Sequence, residues 1–339
     1  MNGCAVDTSR AANAVSLSVL VAVFQSACFL RRLVASLAAQ NVQDAEFVFC
    51  DDASTDGTAD MLQGFLAEYG LAGRARVLRH GTNCGVCRTR QDLLDAATGE
   101  YFIFMDPDDL VDAGMHAEML ATAREKDADL VWEGYFEEKD GVATRHDERL
   151  PEGATAHDMR RAILRDEIYG SLWNKMIRLD FVRRRAMRFK PENTCCIDDL
   201  DFMVDVLAES PRIAYNPGCH YRYMVRAGSI SHVSSLPYLP AFKRIAYRLE
   251  HLAVSPEDRA AVQVFKARFR YYASMDFSVP DDVFASYFPE TRSLLGRFSA
   301  KQRIVFWLSA RGMRPLVRFV WRLLHHKAQS SKAGSKAGA

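Results

Sequence analysis

The chain has 339 residues, of which 49% are hydrophobic and 26% are charged. This length exceeds that of a typical single domain, and the composition excludes a disordered chain, a collagen-like repeat and a multi-span membrane protein. The formal net charge is only +1, but the 11 lysines and arginines after Glu290 have no acidic counterpart, whereas the preceding residues carry 33 basic and 43 acidic side chains. An acidic body with a basic tail predicts a partner for the tail.

The cysteines and the first apolar segment both indicate a cytoplasmic protein. Eight cysteines are too sparse for a disulfide scaffold in a chain of this length, so we expect reduced thiols. A zinc site formed by Cys84, Cys87 and the adjacent Cys195 and Cys196 is an alternative that no histidine spacing supports. The apolar segment Val15–Phe24 has neither a basic region before it nor a cleavage site after it, and it is too short to span a bilayer. We therefore predict that it is a buried first strand.

Four apolar segments of strand length alternate with segments whose apolar residues recur at helical spacing. The predicted strands are Leu17–Phe24, Glu46–Cys50, Ala75–Leu78 and Tyr101–Met105. The predicted helices between them are Phe29–Gln40, Thr58–Tyr69 and Cys87–Ala97. This alternation predicts an α/β fold in which a mostly parallel sheet is covered by helices on both faces. Ligands of such sheets bind at the carboxyl ends of the strands.

Aspartates are concentrated at two of these strand ends. The second strand leads into Asp51–Gly57 and the fourth into Asp106–Asp109, while the loop after the third strand holds Asn83 and leads to Arg88 and Arg90. Carboxylates gathered at one sheet edge predict a divalent cation, and an arginine beside them predicts a phosphate. Asp-rich turns also cap helices and loops, but two of them at the ends of apolar strands favour a ligand site.

Several other nucleotide-site and hydrolase signatures are absent from the sequence. It contains no G-x-x-x-x-G-K-[ST] loop and no G-x-G-x-x-G segment after a strand. A P-loop and a Rossmann dinucleotide site are therefore disfavoured. The motifs H-E-x-x-H and G-x-S-x-G are also missing, which disfavours the corresponding zinc proteases and serine hydrolases.

Four segments, taken in order, resemble family 2 glycosyltransferases of the type that builds bacterial cell-surface polysaccharides. The segments are Ser18–Gln40, Asp51–Thr58, Asn83-x-Gly85 with Arg90, and Asp106–Asp109. The resemblance extends from about Val15 to about His232. It implies a GT-A (Rossmann-like) fold and an inverting transfer from a nucleotide-diphosphate sugar, with a UDP-sugar as the expected donor.

The resemblance implies a role for each residue on the donor side. Val23 and Phe24 at the end of the first strand would bracket the nucleoside together with Asp51 and Asp52, one of which would read the base. The remaining donor-binding residues implied by the resemblance are Asn83, Arg90 at the diphosphate, Asp106 and Arg226.

The segment Asp106-x-Asp108 resembles the metal motif of the family. Asp108 is the expected direct ligand, with Asp106 as a second ligand, Asp109 in support and His232 as a weaker candidate. Oxygen ligands of this kind suit Mg²⁺ or Mn²⁺, either of which would neutralise charge on the departing diphosphate.

The acceptor side resembles the family in three segments. They are Trp173–Met176, Phe189–Glu192 and Ile197–Asp199. Asp199 occupies the position of the general base, and Asp198 stands where the family pattern has glutamate. An inverting transfer needs one carboxylate to take the proton of the acceptor hydroxyl as its oxygen attacks the anomeric carbon. The same two aspartates also fit the start of a helix, where the helix dipole favours acids.

Residues 299–326 are predicted to form two basic helices, Ser299–Leu308 and Pro315–His326. On the second helix the basic residues lie opposite an apolar face, and they are Arg314, Arg318, Arg322 and His325. This profile predicts an interfacial helix on an anionic membrane surface, and the alternative is an apolar face packed on the catalytic domain. No recognisable nucleic-acid-binding motif accompanies the tail, so we expect no nucleic-acid partner.

The sequence therefore predicts a nucleotide-sugar domain over residues 13–235 and a helical segment over 236–327. Disordered ends are expected at 1–12 and 328–339. The predicted function is metal-dependent sugar transfer to a glycan or lipid-linked acceptor, in the cytoplasm or on the inner face of the plasma membrane. Two alternatives are a non-catalytic nucleotide-sugar-binding module and a sugar-nucleotide pyrophosphorylase, but the catalytic carboxylates are retained and Phe24–Ala27 does not supply the glycine-rich loop of the latter.

Overall fold

A computed structural model describes residues 15–190, 197–226, 236–276, 278–293 and 300–317, together with residue 319. The chain divides into two units, Met1–Ser231 and His232–Ala339. The expected disordered ends at 1–12 and 328–339 lie outside the described residues, as do Cys195, Cys196 and the metal candidate His232.

The first part of unit 1 is the predicted alternation of strands and helices. Its elements are β1 Leu17–Val23, α1 Leu30–Ala38, β2 Ala45–Asp51, α2 Thr58–Glu68, β3 Ala75–Arg79, α3 Val86–Ala96 and β4 Tyr101–Met105. β1, β2, β3 and β4 pair in parallel in the order β3-β2-β1-β4. The apolar side chains of β1 and β4 are almost completely buried, as expected for strands that are covered on both faces. The predicted α/β fold is confirmed.

The second part of unit 1 extends the same sheet with strands of both directions. Its elements are β5 Leu110–Val111, α4 Met115–Glu125, β6 Leu130–Lys139, β7 Val142–His146, α5 Ala156–Leu164, β8 Lys175–Arg178, α6 Leu179–Arg184, α7 Asp198–Ala208 and β9 Ile213–Met224. The complete order is β3-β2-β1-β4-β8-β6-β9-β5, with β7 paired to β6. β8 is antiparallel to both β4 and β6, whereas β6 and β9 are parallel. The sheet is thus parallel in its first half and mixed in its second.

Gly99 allows β4 to begin beside β1. A Cβ atom at this position would lie 2.6 Å from the backbone nitrogen of Ser18 and 2.7 Å from the carbonyl oxygen of Tyr101. Any side chain would therefore push the two strands apart. In the observed register Val21 of β1 lies beside Met105, the last residue of β4, and Asp106 follows directly.

Unit 2 is helical in its described part. The helices are α8 Leu239–Leu252, α9 Pro256–Met275, α10 Asp281–Ala285 and α11 Ala300–Ala310. The Ser255 hydroxyl and the Asp258 carboxylate form a reciprocal capping box at the start of α9. Apolar side chains of α8 and α9, including Ile245, Leu249 and Phe265, are buried. The predicted C-terminal helical segment is confirmed, and none of the helices in the described ranges is both long and apolar enough to cross a membrane.

Arg314 does not lie on the exposed basic face that the sequence predicts for the tail. Its side chain is 1% exposed and donates hydrogen bonds to the Ala273 and Asp276 carbonyl oxygens at the end of α9 and to the Val279 carbonyl. It also pairs with Asp281 at 2.8 Å. The last carbonyls of a helix lack internal partners, and a cation placed there satisfies them. Arg314 therefore stabilises unit 2 and is not available to a membrane, while Arg318, Arg322 and His325 lie outside the described side chains.

His116 on α4 is the most unusual polar residue of the core. Its side chain is fully buried, and neither ring nitrogen has a hydrogen-bond partner among the described residues. Burial, followed by repulsion from His220, lowers the pKa of His116 from 6.5 to about 3. The unfolded chain therefore takes up a proton near pH 6.5 that the folded chain accepts only near pH 3.

We predict that His116→Leu removes this acid sensitivity. Wild-type stability should fall by up to about 1.4 kcal/mol per pH unit between pH 6.5 and 3 through this residue, because the unfolded state binds the extra proton. The variant should lack this part of the pH dependence. Its free energy of unfolding at pH 7 should be higher by about 1–2 kcal/mol, since an unsatisfied buried polar group is removed. Urea unfolding across this pH range measures both effects, with His251→Leu on the exposed side of α8 as the control. Equal pH slopes in the wild type and His116→Leu would refute the assignment.

Candidate functional site

Asp52 holds the loop that follows β3. Its Oδ1 accepts hydrogen bonds from the Cys84 backbone nitrogen and from His80 Nδ1, both at 2.7 Å, and its Oδ2 accepts one from the Gly85 nitrogen at 2.8 Å. His80 Nε2 also lies 3.0 Å from Asp92 Oδ2 on α3. The carboxylate is 4% exposed, so Asp52 acts here as the buried anchor of residues 80–85. The role of His80 was not predictable from the sequence, because no motif includes it.

The Asp-rich turn after β2 borders an open cleft, and the fully buried Asp51 lies behind it. Asp51 Oδ1 accepts a hydrogen bond from the Ser54 nitrogen at 3.1 Å, and Arg79 Nε lies 3.4 Å from Oδ2. The cleft has a volume of about 490 Å³ and is lined by Ala53, Ser54, Thr55, Arg79, His80 and Gly81. It lies at the carboxyl ends of β2 and β3, where the sequence predicts the nucleoside.

The turn after β1 is tied to the same cleft. Val23 is buried, and its carbonyl accepts a hydrogen bond from the Asp52 nitrogen at 2.9 Å. Phe24 is 49% exposed, which leaves its ring free for contact with a ligand. Gln25 has a φ of 49°, and its backbone nitrogen donates to Ser54 Oγ at 2.9 Å. The ends of β1 and β2 therefore form one surface.

A group of possible metal ligands lies beside the cleft. Ligand atoms of Asp52, His80 and Cys84 lie within 4.8 Å of one another. Both Asp52 oxygens and both His80 nitrogens already have hydrogen-bond partners, as given above. Cys84 is exposed and Cys87 is buried, and neither forms a disulfide among the described residues. Asn83 is exposed on the same loop.

The Arg90 guanidinium joins three carboxylates from two segments that are distant in the sequence. Its Nη1 donates to Asp198 Oδ2 at 2.5 Å and also to Asp199 Oδ1, and its Nη2 donates to Asp106 Oδ1 at 3.1 Å. The Arg90 side chain is 9% exposed and packs 5.7 Å from the ring centroid of Phe104. Arg90 therefore links α3, the end of β4 and the start of α7.

The segment 106–109 carries an excess of negative charge. Burial raises the pKa of Asp106 to about 7 against the opposing charge of Arg90, and the neighbouring carboxylates reinforce the effect of burial. Burial and the charges of Asp106 and Asp108 also raise the pKa of Asp109. Asp109 accepts hydrogen bonds from the Tyr221 hydroxyl at 2.7 Å and the Met224 nitrogen at 2.8 Å, so both of its oxygens are bonded to residues of β9.

Asp106 and Asp108 are the carboxylates of this segment that a ligand can reach. Their side chains are 31% and 34% exposed, respectively. Arg226 donates to the Asp108 carbonyl oxygen, and its Nη1 lies 3.9 Å from Asp108 Oδ2. Carboxylate oxygens are the hard ligands that Mg²⁺ and Mn²⁺ prefer, so these two accessible side chains could hold such an ion.

Asp198 and Asp199 begin α7, as the helix-start interpretation predicts. Asp198 is buried; burial raises its pKa to about 6, against the charge of Arg90. The Asp199 side chain is 18% exposed, and its Oδ2 accepts a hydrogen bond from the Leu172 nitrogen at 3.2 Å. Asp199 is therefore more accessible than Asp198. Arg90 and the Leu172 nitrogen orient its two oxygens.

Two buried charged residues that sequence reasoning missed shape the neighbouring loop. Glu148 and Lys175 are 4% and 1% exposed, and their charged atoms lie 4.0 Å apart. Asn174 Nδ2 donates to Glu148 Oε2 at 2.9 Å, and Lys175 Nζ donates to Asn174 Oδ1 at 2.6 Å. Lys175 lies in a segment that resembles the acceptor side of the family, whereas Glu148 follows no recognisable pattern.

The sequence of the chain is similar to those of known glycosyltransferases. Residues 18–190 match the family described as glycosyl transferase family 2. The cholesterol galactosyltransferase of Borreliella burgdorferi is 22% identical over 274 residues, which cover 76% of this chain and 74% of that protein.

Two solved structures share the fold. The Staphylococcus aureus TarS 1–349 fragment in complex with UDP-GlcNAc has a TM-score of 0.59 and 20% identity, and the match covers 88% of this chain and 92% of that one. The mannosyltransferase PcManGT of Pyrobaculum calidifontis, in complex with GDP-Man and Mn²⁺, has a TM-score of 0.55 and 13% identity, with 90% and 87% covered. At these identities the likeness shows the GT-A fold.

We predict that Arg90→Gln destabilises unit 1 by about 3–5 kcal/mol, because three carboxylates lose their shared cation. Adding Asp198→Asn to that variant should recover part of the loss, since one of the unpaired charges is removed. Urea unfolding at pH 8 measures both variants. Arg31→Gln is the matched control, because the Arg31–Glu68 pair is exposed and should contribute no more than about 1 kcal/mol. A loss below 1 kcal/mol for Arg90→Gln, or simple additivity in the double variant, would contradict the prediction.

Proposed function

The chain belongs to glycosyl transferase family 2, and from that premise we propose that it transfers a sugar from a UDP-sugar to a hydroxyl of a glycan or lipid-linked acceptor with inversion at the anomeric carbon. The observation that carries the proposal is the position of Asp199, which Arg90 holds beside the accessible carboxylate of Asp106. The proposed general base would thereby lie next to the proposed site for the metal and the diphosphate.

Asp199 is the proposed general base. One of its oxygens would take the proton of the acceptor hydroxyl while the acceptor oxygen forms a bond to the anomeric carbon and the bond from that carbon to the diphosphate breaks. Arg90 and the Leu172 nitrogen hold the carboxylate at its two oxygens. Each carboxylate oxygen has a further lone pair, so these bonds orient the base without occupying it.

Asp108 and Asp106 are the proposed metal ligands, and Arg226 is the proposed phosphate contact. Mg²⁺ or Mn²⁺ bound there would neutralise the charge of the departing diphosphate. The excess of carboxylates in this region supports a cation, as does the Mn²⁺ complex of the mannosyltransferase named above. Arg226 packs over the ring of Phe29 at 3.9 Å, which fixes its direction.

The nucleoside is proposed to lie in the cleft between the ends of β2 and β3. Phe24 offers an exposed ring, and Asp51 offers a carboxylate that is buried in this structure, with Oδ2 3.4 Å from Arg79 Nε, so a base would reach it only after Arg79 moves aside. A uracil base presents an N–H that a carboxylate can accept. The UDP-GlcNAc complex of TarS supports a uridine donor.

We further propose that the enzyme works on the cytosolic side of a membrane. Nucleotide sugars are made there, and the relative named above acts on cholesterol, which is a membrane lipid. Unit 2 exposes large apolar side chains on and after α11, namely Ile304, Trp307 and Phe319. Arg311 packs 4.0 Å from the ring centroid of Trp307 and places a cation beside this surface.

We predict that Asp199→Asn and Asp108→Asn fail in different ways. Asp199→Asn should bind UDP with Mn²⁺ within about threefold of wild type but lose about 10²–10⁴ in kcat, because it cannot take the proton. Asp108→Asn should lose Mn²⁺-dependent UDP binding together with transfer. Calorimetry with UDP, with and without Mn²⁺ or a chelator, measures binding, and UDP release from UDP-glucose, UDP-galactose and UDP-GlcNAc with candidate acceptors measures transfer.

Glu46, at the opposite end of β2, supplies the control variant Glu46→Gln, which should leave transfer within about twofold of wild type. Transfer by Asp199→Asn near the wild-type rate would remove it as the base. UDP binding that is indifferent to Mn²⁺ in the wild type would remove the metal assignment. Release of pyrophosphate from a sugar phosphate and UTP would instead favour a pyrophosphorylase.

We predict that Ile304→Ser with Trp307→Ser weakens co-sedimentation with anionic vesicles by about tenfold, because burial of these side chains would drive attachment. Val254→Ser is the matched control, since Val254 is 79% exposed in the same unit but lies between α8 and α9. Sedimentation is measured at physiological salt, after thermal melting has shown that the variants are folded. Wild-type co-sedimentation by the double variant would exclude this surface as the membrane contact.

A further inference from the structure

The loop between α5 and β8 presents an exposed tyrosine on a rigid backbone. Tyr169 is 42% exposed. Its backbone nitrogen donates to Glu148 Oε1 at 2.5 Å, and its carbonyl oxygen accepts a hydrogen bond from Lys175 Nζ at 2.8 Å. Burying two charged side chains costs free energy, and here both of them form hydrogen bonds with the backbone of one residue, Tyr169. The position of Tyr169 is therefore strongly determined.

The ring of Tyr169 lies at the edge of a group of packed aromatic side chains. Its centroid is 5.8 Å from that of Trp173 and 6.4 Å from that of Tyr223. Trp173 in turn stacks on Tyr221 at 4.2 Å with an interplanar angle of 16°. These contacts hold the ring on its inner side, while the exposed part faces solvent. An exposed aromatic ring that is held in place has little conformational entropy to lose on binding.

The same loop reaches the proposed base. Leu172, three residues after Tyr169, donates its backbone hydrogen to Asp199 Oδ2. The pKa of the Tyr169 hydroxyl is raised, first by burial and then by Tyr223, Tyr135 and Asp199. Tyr169 and Asp199 are thus close enough for the charge of Asp199 to affect the pKa of the tyrosine. An acceptor whose hydroxyl meets Asp199 would extend over this surface.

We propose that the exposed ring of Tyr169 is a binding subsite for a pyranose ring of the acceptor, which stacks its apolar C–H face on the tyrosine and presents a hydroxyl to Asp199. The inference rests on the proposed function and adds the chemical class of the acceptor, a sugar. An aromatic ring suits this task because a pyranose has one face of C–H groups whose burial is favourable and hydroxyls at its rim that stay solvated.

A binding experiment that needs no turnover tests the subsite. Saturation-transfer NMR is recorded with methyl β-D-glucopyranoside, methyl β-D-galactopyranoside and methyl N-acetyl-β-D-glucosaminide, with and without UDP and Mn²⁺. At least one glycoside should bind the wild type, and Tyr169→Ala should weaken its affinity about tenfold or more, as aromatic hot spots do. Tyr169→Phe should keep the affinity, because it keeps the ring.

Two further variants make the result decisive. Tyr169→Leu keeps the bulk of an apolar side chain without an aromatic face, so it should fold and still lose affinity if Tyr169→Ala is unstable. Tyr247→Ala, an exposed tyrosine on α8, should bind as the wild type does. The proposal is overturned if no glycoside binds the wild type, if Tyr169→Ala and Tyr169→Leu bind like it, or if Tyr169→Phe loses as much as Tyr169→Ala.

A transfer assay separates this inference from the proposed function. With octyl β-glycosides as acceptors, Tyr169→Ala should raise the acceptor KM about tenfold while the donor KM stays within about twofold. A fall in kcat at unchanged acceptor KM would mean that the residue positions the base, and would overturn the subsite. Glycoside binding that depends on Tyr169 in a protein that transfers no sugar would contradict the proposed function and leave the subsite standing.

Discussion

The buried Arg90 guanidinium is the contact on which the rest of the site depends. It is the shared partner of Asp106, Asp198 and Asp199, whose two segments are 92 residues apart in the sequence. Without a cation between them, these carboxylates would repel one another and the start of α7 would move away from the end of β4. One arginine thus sets the distance between the proposed metal ligands and the proposed base.

Arg90 can do this only because α3 is itself fixed by a second carboxylate. Asp52 holds the backbone at Cys84 and Gly85, directly before α3 begins, and His80 connects Asp52 to Asp92 on that helix. The Asp-rich turn after β2 is therefore a structural anchor as well as a surface of the cleft. A substitution in that turn is expected to disturb the base indirectly, through the position of Arg90.

The parallel first half of the sheet was predictable from the sequence, whereas the mixed second half was not. β1 to β4 are local apolar segments, and the helices between them have the apolar spacing that a sequence displays. The predicted bounds of β4 agree with the structure at both ends. β6, β8 and β9 pair across long separations, with a register shift near Gly134, so no local pattern defines them. Asp199 was found through a family resemblance, while Glu148 and His80 act through contacts that only the fold creates. Arg314 was assigned to the wrong face because helical spacing does not reveal the α9 carbonyls that bind it.

This division between local and distant contacts has a consequence for specificity. The proposed donor-side groups lie in short motifs at strand ends, and the family match ends at residue 190, before Asp198 and Asp199. The proposed acceptor-side groups come from the loop before β8 and from α7, outside the segment that forms β1 to β4. The proposed acceptor subsite at Tyr169 lies on such a loop, and the buried Glu148 and Lys175 side chains hold its backbone. Substitution of the exposed Tyr169 ring is therefore expected to change the proposed acceptor contact without moving the proposed base, because Arg90 holds Asp199 independently of that ring.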